Sequence, residues 1–335
     1  MFAALIARRL GFLVLVLLGI SLITFLLSHV VPADPARLYA GPRASAAAVA
    51  AVRRQFGLDQ PLPAQYARYL GGLLHGDFGP SLTSHRPVAA DLRDYQPATV
   101  ELTLAALVLI LAAGLPLGVL SGVWPGSLVD GIGRLVSITG VAVPAFWLGL
   151  MAQLLLFDQL GWFPSGGRLD PNTAPPQGPT GLYTVDSLLH GDAPLFAQSL
   201  WHLLLPAAVL GYGSLAVLTR QVRAGMLEVL SQDYVRTARS KGLRERSVIA
   251  RHALRNAVLP ATTVMGLQVG SLLGGALLVE NVFAWPGLGR YATQATLNLD
   301  YNAVLGVTLV AASIYVAVNL TVDLLYAVLD PRVTY

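Results

Sequence analysis

Residues 10–31, LGFLVLVLLGISLITFLLSHVV, carry no Asp, Glu, Lys or Arg over 22 positions. That length crosses the hydrocarbon core of a bilayer as a single helix. Five further apolar stretches follow, at 98–123, 132–156, 199–218, 259–282 and 301–328, and none holds more than one charged residue. In hydrocarbon the backbone must satisfy its own hydrogen bonds, so each stretch is expected to be helical. The chain is therefore expected to be an all-α polytopic membrane protein with six transmembrane helices. Composition agrees: 55% of residues are hydrophobic and 12% charged, against about 25% charged in a soluble domain. A cleaved leader fits the first stretch poorly, because its apolar core would be about 7–15 residues long. An uncleaved first span is expected, with the N-terminus inside.

Basic residues set the orientation of such a chain. With six spans, Arg8, Arg9, Arg134, Arg332 and the nine basic residues from Arg220 to Arg255 fall inside, 13 in all. Outside, beyond the first loop, stand only Arg168 and Arg290, so both termini are expected in the cytoplasm. The first loop, 32–97, has 66 residues and seven arginines. Loops longer than about 60 residues cross regardless of charge, so this segment is expected outside. Within it, 44–56 and 65–74 read as short amphipathic helices, the second ending at Gly76. The chain thus divides into 1–31 (N-terminus and first span), an external segment 32–97, and a core 98–335 with a cytoplasmic loop at 220–258.

That loop carries the most distinctive stretch, DYVRTARSKGLRERSVIARHALRNAVLP at 233–260. It reads as two short helices broken at Gly242, a residue able to take the left-handed conformation that ends a helix. On the first, Tyr234, Val235, Ala238 and Gly242 share one face, while Arg236 and Arg239 point elsewhere. On the second, Ile249, Ala253 and Ala257 form a stripe that climbs toward Pro260.

Arg236-Thr237-Ala238, Gly242 and Leu259-Pro260 resemble the EAA loop of bacterial ABC importer permeases, the membrane subunits that dock an ATPase through a short coupling helix. Arg and Thr stand where the general pattern has Glu and Ala, and the gap to Leu-Pro is longer, as in the peptide and nickel branch. Two further phrases resemble that family, VENVFAWPGLGRY at 279–291 and LDPR at 329–332. GGRLDP and TGLYTVDSLLHGD, in 157–198, tilt the resemblance from nickel toward dipeptides or oligopeptides. It implies the type I importer permease fold in the bacterial inner membrane. It also implies a second homologous permease, two ATPase subunits holding ATP and Mg, and an external solute-binding protein. The docking residues it implies are Asp233, Tyr234, Val235, Arg236, Thr237, Ala238, Arg239, Lys241 and Gly242.

No other residue pattern supplies chemistry. Lys241 is the single lysine and follows no glycine-rich phosphate loop, so no ATP-binding loop of that kind is present. There are no cysteines, which removes thiolate nucleophiles and thiolate metal sites. No Gly-x-Ser-x-Gly or His-Glu-x-x-His pattern exists to make the chain a membrane enzyme. His29, His75, His85, His190, His202 and His252 offer no metal-holding spacing, so no cofactor or metal is expected in this chain. A small basic excess (22 Lys+Arg against 18 Asp+Glu) concentrated in one loop argues for topology and against nucleic-acid binding. A passive channel would not need the glycine-broken loop. Glu101, Glu280 and Asp323 read as polar anchors near span ends, and Asn319 and Asp323, one helical turn apart, are expected to face the bundle and bond a neighbour. Gly266, Gly270 and Gly274, four apart, read as a face for close helix packing. Pro144 is expected to kink the third span and Pro206 the fourth. Phe146, Trp147, Gln268, Ser271 and Asn319 are the candidates to line a path.

Overall fold

The computed structural model describes residues 2–30, 35–41, 43–55 and 57–329. Apart from an isolated bridge between Pro80 and Pro87, every regular element among them is helical. They are α1 (Phe2–Val30), α2 (Pro35–Ala40), α3 (Ala46–Gln55), α4 (Leu62–Leu74), α5 (Val88–Val123), α6 (Leu128–Ala142) and α7 (Ala145–Gln159). They continue as α8 (Tyr183–Leu189), α9 (Ala193–Leu230), α10 (Asp233–Ser240), α11 (Leu259–Val282), α12 (Leu288–Leu297) and α13 (Tyr301–Leu329). By length and hydropathy α5, α9 and residues 301–321 of α13 each suffice to cross a membrane. Two bent pairs, α6 with α7 and the two halves of α11, raise that to five, and α1 adds a shorter apolar stretch, Gly11–Leu26.

The chain forms two compact units that do not follow chain order, 1–96 with 290–320 and 97–289 with 321–334. In the first, α1 is tied to α4 by Ser21 Oγ and Tyr66 OH, 2.9 Å apart. Phe25 packs on Tyr66 and Tyr69, with ring centroids 5.2 and 5.9 Å away. The turn at 79–87 is pinned to the start of α13. Buried Asp300 accepts Ser81 Oγ at 2.6 Å and the Thr83 amide at 3.0 Å. Tyr291 stacks on Tyr95 at 4.8 Å and donates its hydroxyl to buried Asp91 at 2.9 Å. Burial and that bond push the Tyr291 phenol well above its usual pKa.

In the second unit α9 is the axis, and glycines decide what lies against it. Gly114, Gly118 and Gly122 recur every four residues on α5. A Cβ at Gly118 would stand 2.8 Å from the Thr219 carbonyl oxygen, and one at Gly122 would stand 2.5 Å from Met226 Cβ. The helices approach closely only because these side chains are absent. The expected packing stripe on α11 is different: Gly266 and Gly270 are buried, but Gly274 is exposed with nothing within 4 Å of a Cβ. Its neighbour Gly275 meets Leu210 instead.

Prolines shape the long helices unequally. Pro116 can give no amide bond to the preceding turn, and α5 carries a wide π-type turn at Ile110–Gly114 just before it. Pro144 forces Val143 into extended backbone, and α6 and α7 meet there at 111°. The expected kink is thus a full break. At Pro206 the helix is not broken: α9 is one element from Ala193 to Leu230.

Candidate functional site

The basic loop is a small packed body. Helix α10 ends at Lys241, and Gly242 takes φ +73°, where glycine carries no steric cost. The chain then reverses through Glu245–Ser247, a wide turn at Val248–Ala253 and Leu254–Ala257. Val235 and Ala238 are buried against Val248, with Val229 and Leu230 beside them. Val235 and Ala238 thus seal the loop onto its own chain. The Tyr234 hydroxyl accepts Asn256 Nδ2 at 2.8 Å, and Arg239 Nη2 donates to Glu245 at 2.7 Å. That bond holds the Glu245 carboxyl below its usual range and raises Arg239. Facing outward are Asp233, Arg236, Thr237, Ser240 and Lys241 together with the Tyr234 ring and Leu243, and Asp233 and Arg236 pair at 3.4 Å.

Where α10 joins α9, a second set of charges fixes the helices. Arg223 of α9 donates Nε and Nη2 to Asp130 at 2.6 and 3.2 Å, a bidentate pair. Asp130 is 1% exposed, accepts the Gly126 amide at 2.8 Å and stands in the first turn of α6. Neither residue stood out in the sequence, since they are 93 positions apart.

A cavity of about 310 Å³ lies at the break between α6 and α7, walled by α9 and α11. Of the candidate path residues, Gln268 and Ser271 line it together with Tyr212 and Ser214. Gln268 Oε1 accepts Ser214 Oγ at 2.9 Å and Ser271 Oγ at 3.2 Å. Helix α11 bends by 41° between Gly266 and Gln268, so both helix breaks of this unit meet the cavity. Phe146 and Trp147 are nearly half exposed and outside the lining, and Asn319 is half-buried on α13 in the other unit.

Segment 160–192, which reads as a plain loop, is bolted down. Arg168, 7% exposed, donates to Glu101 at 2.5 Å and to the Gly181 carbonyl at 2.8 Å, and its guanidinium lies 3.4 Å over the Tyr183 ring. Glu101 also accepts the Thr184 amide and hydroxyl, each at 2.7 Å. Gly167 donates its amide to the Phe283 carbonyl at 2.9 Å. A Cβ at Gly166 would overlap that same carbonyl oxygen at 2.1 Å. His202 sits among the Gly166 and Gly167 carbonyls and Asp170, each at 3.2 Å. Asp186 and His190 do stand four apart, yet the Asp186 carboxylate accepts Thr180 and Gly181 while His190 Nδ1 meets the Asp186 carbonyl. Glu280, fully buried, accepts Thr99 Oγ1 at 2.6 Å and the Gly289 amide at 2.7 Å, closing the VENVFAWPGLG turn on itself. Both glutamates are therefore structural anchors, as the sequence suggested. The side chains of His29 and Asp323, and the LDPR phrase from Asp330 on, lie outside the described residues. No group of three or more His, Cys, Asp or Glu that would hold a metal occurs among those described.

Residues 114–335 match the family described as binding-protein-dependent transport system inner membrane component. Residues 1–103 match its N-terminal companion, the membrane component's N-terminal region. The chain belongs to that family. This membrane component is 48% identical over 332 residues, 99% of its own length and 98% of the relative's, to the "Probable D,D-dipeptide transport system permease protein DdpB" of Escherichia coli. It is 41% identical over 328 residues to the dipeptide transport system permease protein DppB of Alkalihalophilus pseudofirmus, covering 98% of each chain. It is 43% identical over 332 residues to the di/tripeptide transport system permease protein DppB of Pseudomonas aeruginosa, again covering 98% of each.

Proposed function

We propose that this chain is the translocation subunit of an ATP-driven importer of dipeptides or short oligopeptides. The observation that carries the substrate is the near full-length likeness to three permeases named for dipeptide or di/tripeptide transport. The uncharged polar cavity at the α6–α7 break supports it, since such a lining suits amides and varied side chains better than an ion. In this reading six spans cross the inner membrane, with α1 as the first, both termini cytoplasmic and 32–97 outside. A homologous permease completes the pore, two ATPase subunits holding ATP and Mg lie beneath, and an external solute-binding protein delivers the peptide. The ATPase meets the exposed face of α10, at Asp233, Arg236, Thr237 and Lys241, while Val235 and Ala238 hold that helix to its own chain. Closure of the ATPases moves α10, and the bonded α9 and α6 carry that motion to the Pro144 break.

The test is uptake by the complete complex in liposomes, with its cognate binding protein outside and ATP inside. Labelled alanyl-alanine is expected to accumulate in an ATP-dependent manner, and nickel ions are not. ATP-dependent nickel uptake without peptide uptake would overturn the substrate and leave the family assignment standing.

A further inference from the structure

The cavity at the α6–α7 break has a definite chemical character beyond its position. Its polar lining consists of Tyr212, Ser214, Gln268 and Ser271, and no Asp, Glu, Lys, Arg or His takes part. Tyr212 OH is held by Thr139 Oγ1 at 2.6 Å. Ser214 Oγ donates to Gln268 Oε1 at 2.9 Å, and Ser271 Oγ divides its proton between the Gln268 main-chain carbonyl at 2.7 Å and Oε1 at 3.2 Å. No hydrogen bond among the described residues reaches the other end, Nε2, although an amide nitrogen carries two donors. An amide held in place at its oxygen with its donors unspent is prepared to bind a carbonyl oxygen.

Gly140, Gly213 and Gly275 line the same cavity, and they let its helices approach closely: a Cβ at Gly140 would stand 2.4 Å from Ala216 Cβ, and one at Gly275 would stand 3.2 Å from Leu210 Cδ1. Its volume of about 310 Å³ lies at the lower end of the roughly 300–1,000 Å³ typical of small-molecule sites. The remaining walls are Val, Leu and Ala, which accept apolar side chains without selecting among them.

We infer that this cavity is a peptide main-chain site in which Gln268 Nε2 donates to a backbone carbonyl of the passing peptide. Tyr212 and Ser214 complete the polar edge. The site carries no countercharge, so it holds the peptide by its amide and not by its charged ends, and it discriminates weakly among side chains. The inference rests on the peptide-import reading above and deepens it.

Gln268→Leu keeps the bulk and removes the donors, while Gln268→Asn keeps an amide. Each is assayed in the complete reconstituted complex for uptake of labelled alanyl-alanine and for ATP hydrolysis stimulated by the binding protein. Gln268→Leu is expected to lower uptake about tenfold, which corresponds to ~1.4 kcal/mol, with complex yield and stimulated hydrolysis retained. Gln268→Asn is expected to recover part of that loss. Uptake by Gln268→Leu equal to the parent's overturns the site, as does a loss of uptake that is matched by lost yield or lost hydrolysis. If the parent complex itself takes up no alanyl-alanine, the peptide reading fails first, and the two failures are thereby told apart.

Discussion

Arg168 ties the 160–192 segment to α5, buried against Glu101, a partner 67 positions away. Nothing local encodes that pairing, since neither helical nor loop spacing relates the two. Removing one member of a buried pair leaves the other uncompensated, at about 3–5 kcal/mol. Arg168→Leu is therefore expected to lower the thermal unfolding temperature of the purified complex sharply, and Glu101→Gln in the same chain to restore much of it. Unfolding temperatures unchanged by Arg168→Leu would contradict the clamp. The glycines give a contrast. Gly118→Leu drives a side chain into the Thr219 carbonyl and should cost at least ~1–3 kcal/mol, whereas Gly274→Leu meets open space and should leave this chain's unfolding temperature where it was. The four-residue spacing was visible in both places; only the partner surface distinguishes them, and sequence does not carry it.

At the scale of elements, α10 was legible in outline, while the residues that cover it were not. Its bounds, the glycine break and the ascending Ala253–Ala257 stripe follow from helical spacing and from Gly242. A short helix gives no internal sign of what covers its apolar face. Val248, which covers it, lies ten residues after Ala238 and across the turn. Ala238→Asp would bury a charge in that contact, so it should loosen the loop even in the isolated chain, seen as faster amide hydrogen exchange over 233–248. Lys241→Glu, on the exposed face, should leave exchange unchanged and lower ATP hydrolysis in the complex. If both variants lost hydrolysis with no change in exchange, the inward packing of Ala238 would be wrong. The Arg239–Glu245 pair adds a pH term of known sign. Glu245 is held below its usual carboxylate range by Arg239, so its contribution is present above that range and is lost as pH falls through the lowered value. Both side chains are about half exposed, which limits the pair to roughly 0.2–1 kcal/mol. Exchange in the loop should accordingly rise slightly on acidification, and Glu245→Gln should abolish that rise.

For the whole molecule, apolar length and the positions of Pro144 and Gly242 revealed an all-helical chain and most of its long helices. They did not reveal that α6 and α7 meet at 111° or that α9 continues unbroken past Pro206. A proline breaks a helix only where the surroundings do not hold it, and α9 is enclosed on several sides, with Leu203, Leu205, Ala207 and Leu210 all buried. In the proposed transport cycle, ATP acting through α10 changes which side of the membrane reaches the cavity at the Pro144 break. The chain's lack of cysteine makes this directly measurable. Ser271→Cys is introduced into a complex whose other subunits are also cysteine-free, and labelling by a membrane-impermeant thiol reagent is followed from each side. Labelling is expected from the cytoplasmic side without nucleotide and from the external side with ATP and binding protein held on the complex, with alanyl-alanine slowing both. Labelling from the same side in both states, or at a rate indifferent to ATP, would contradict the account.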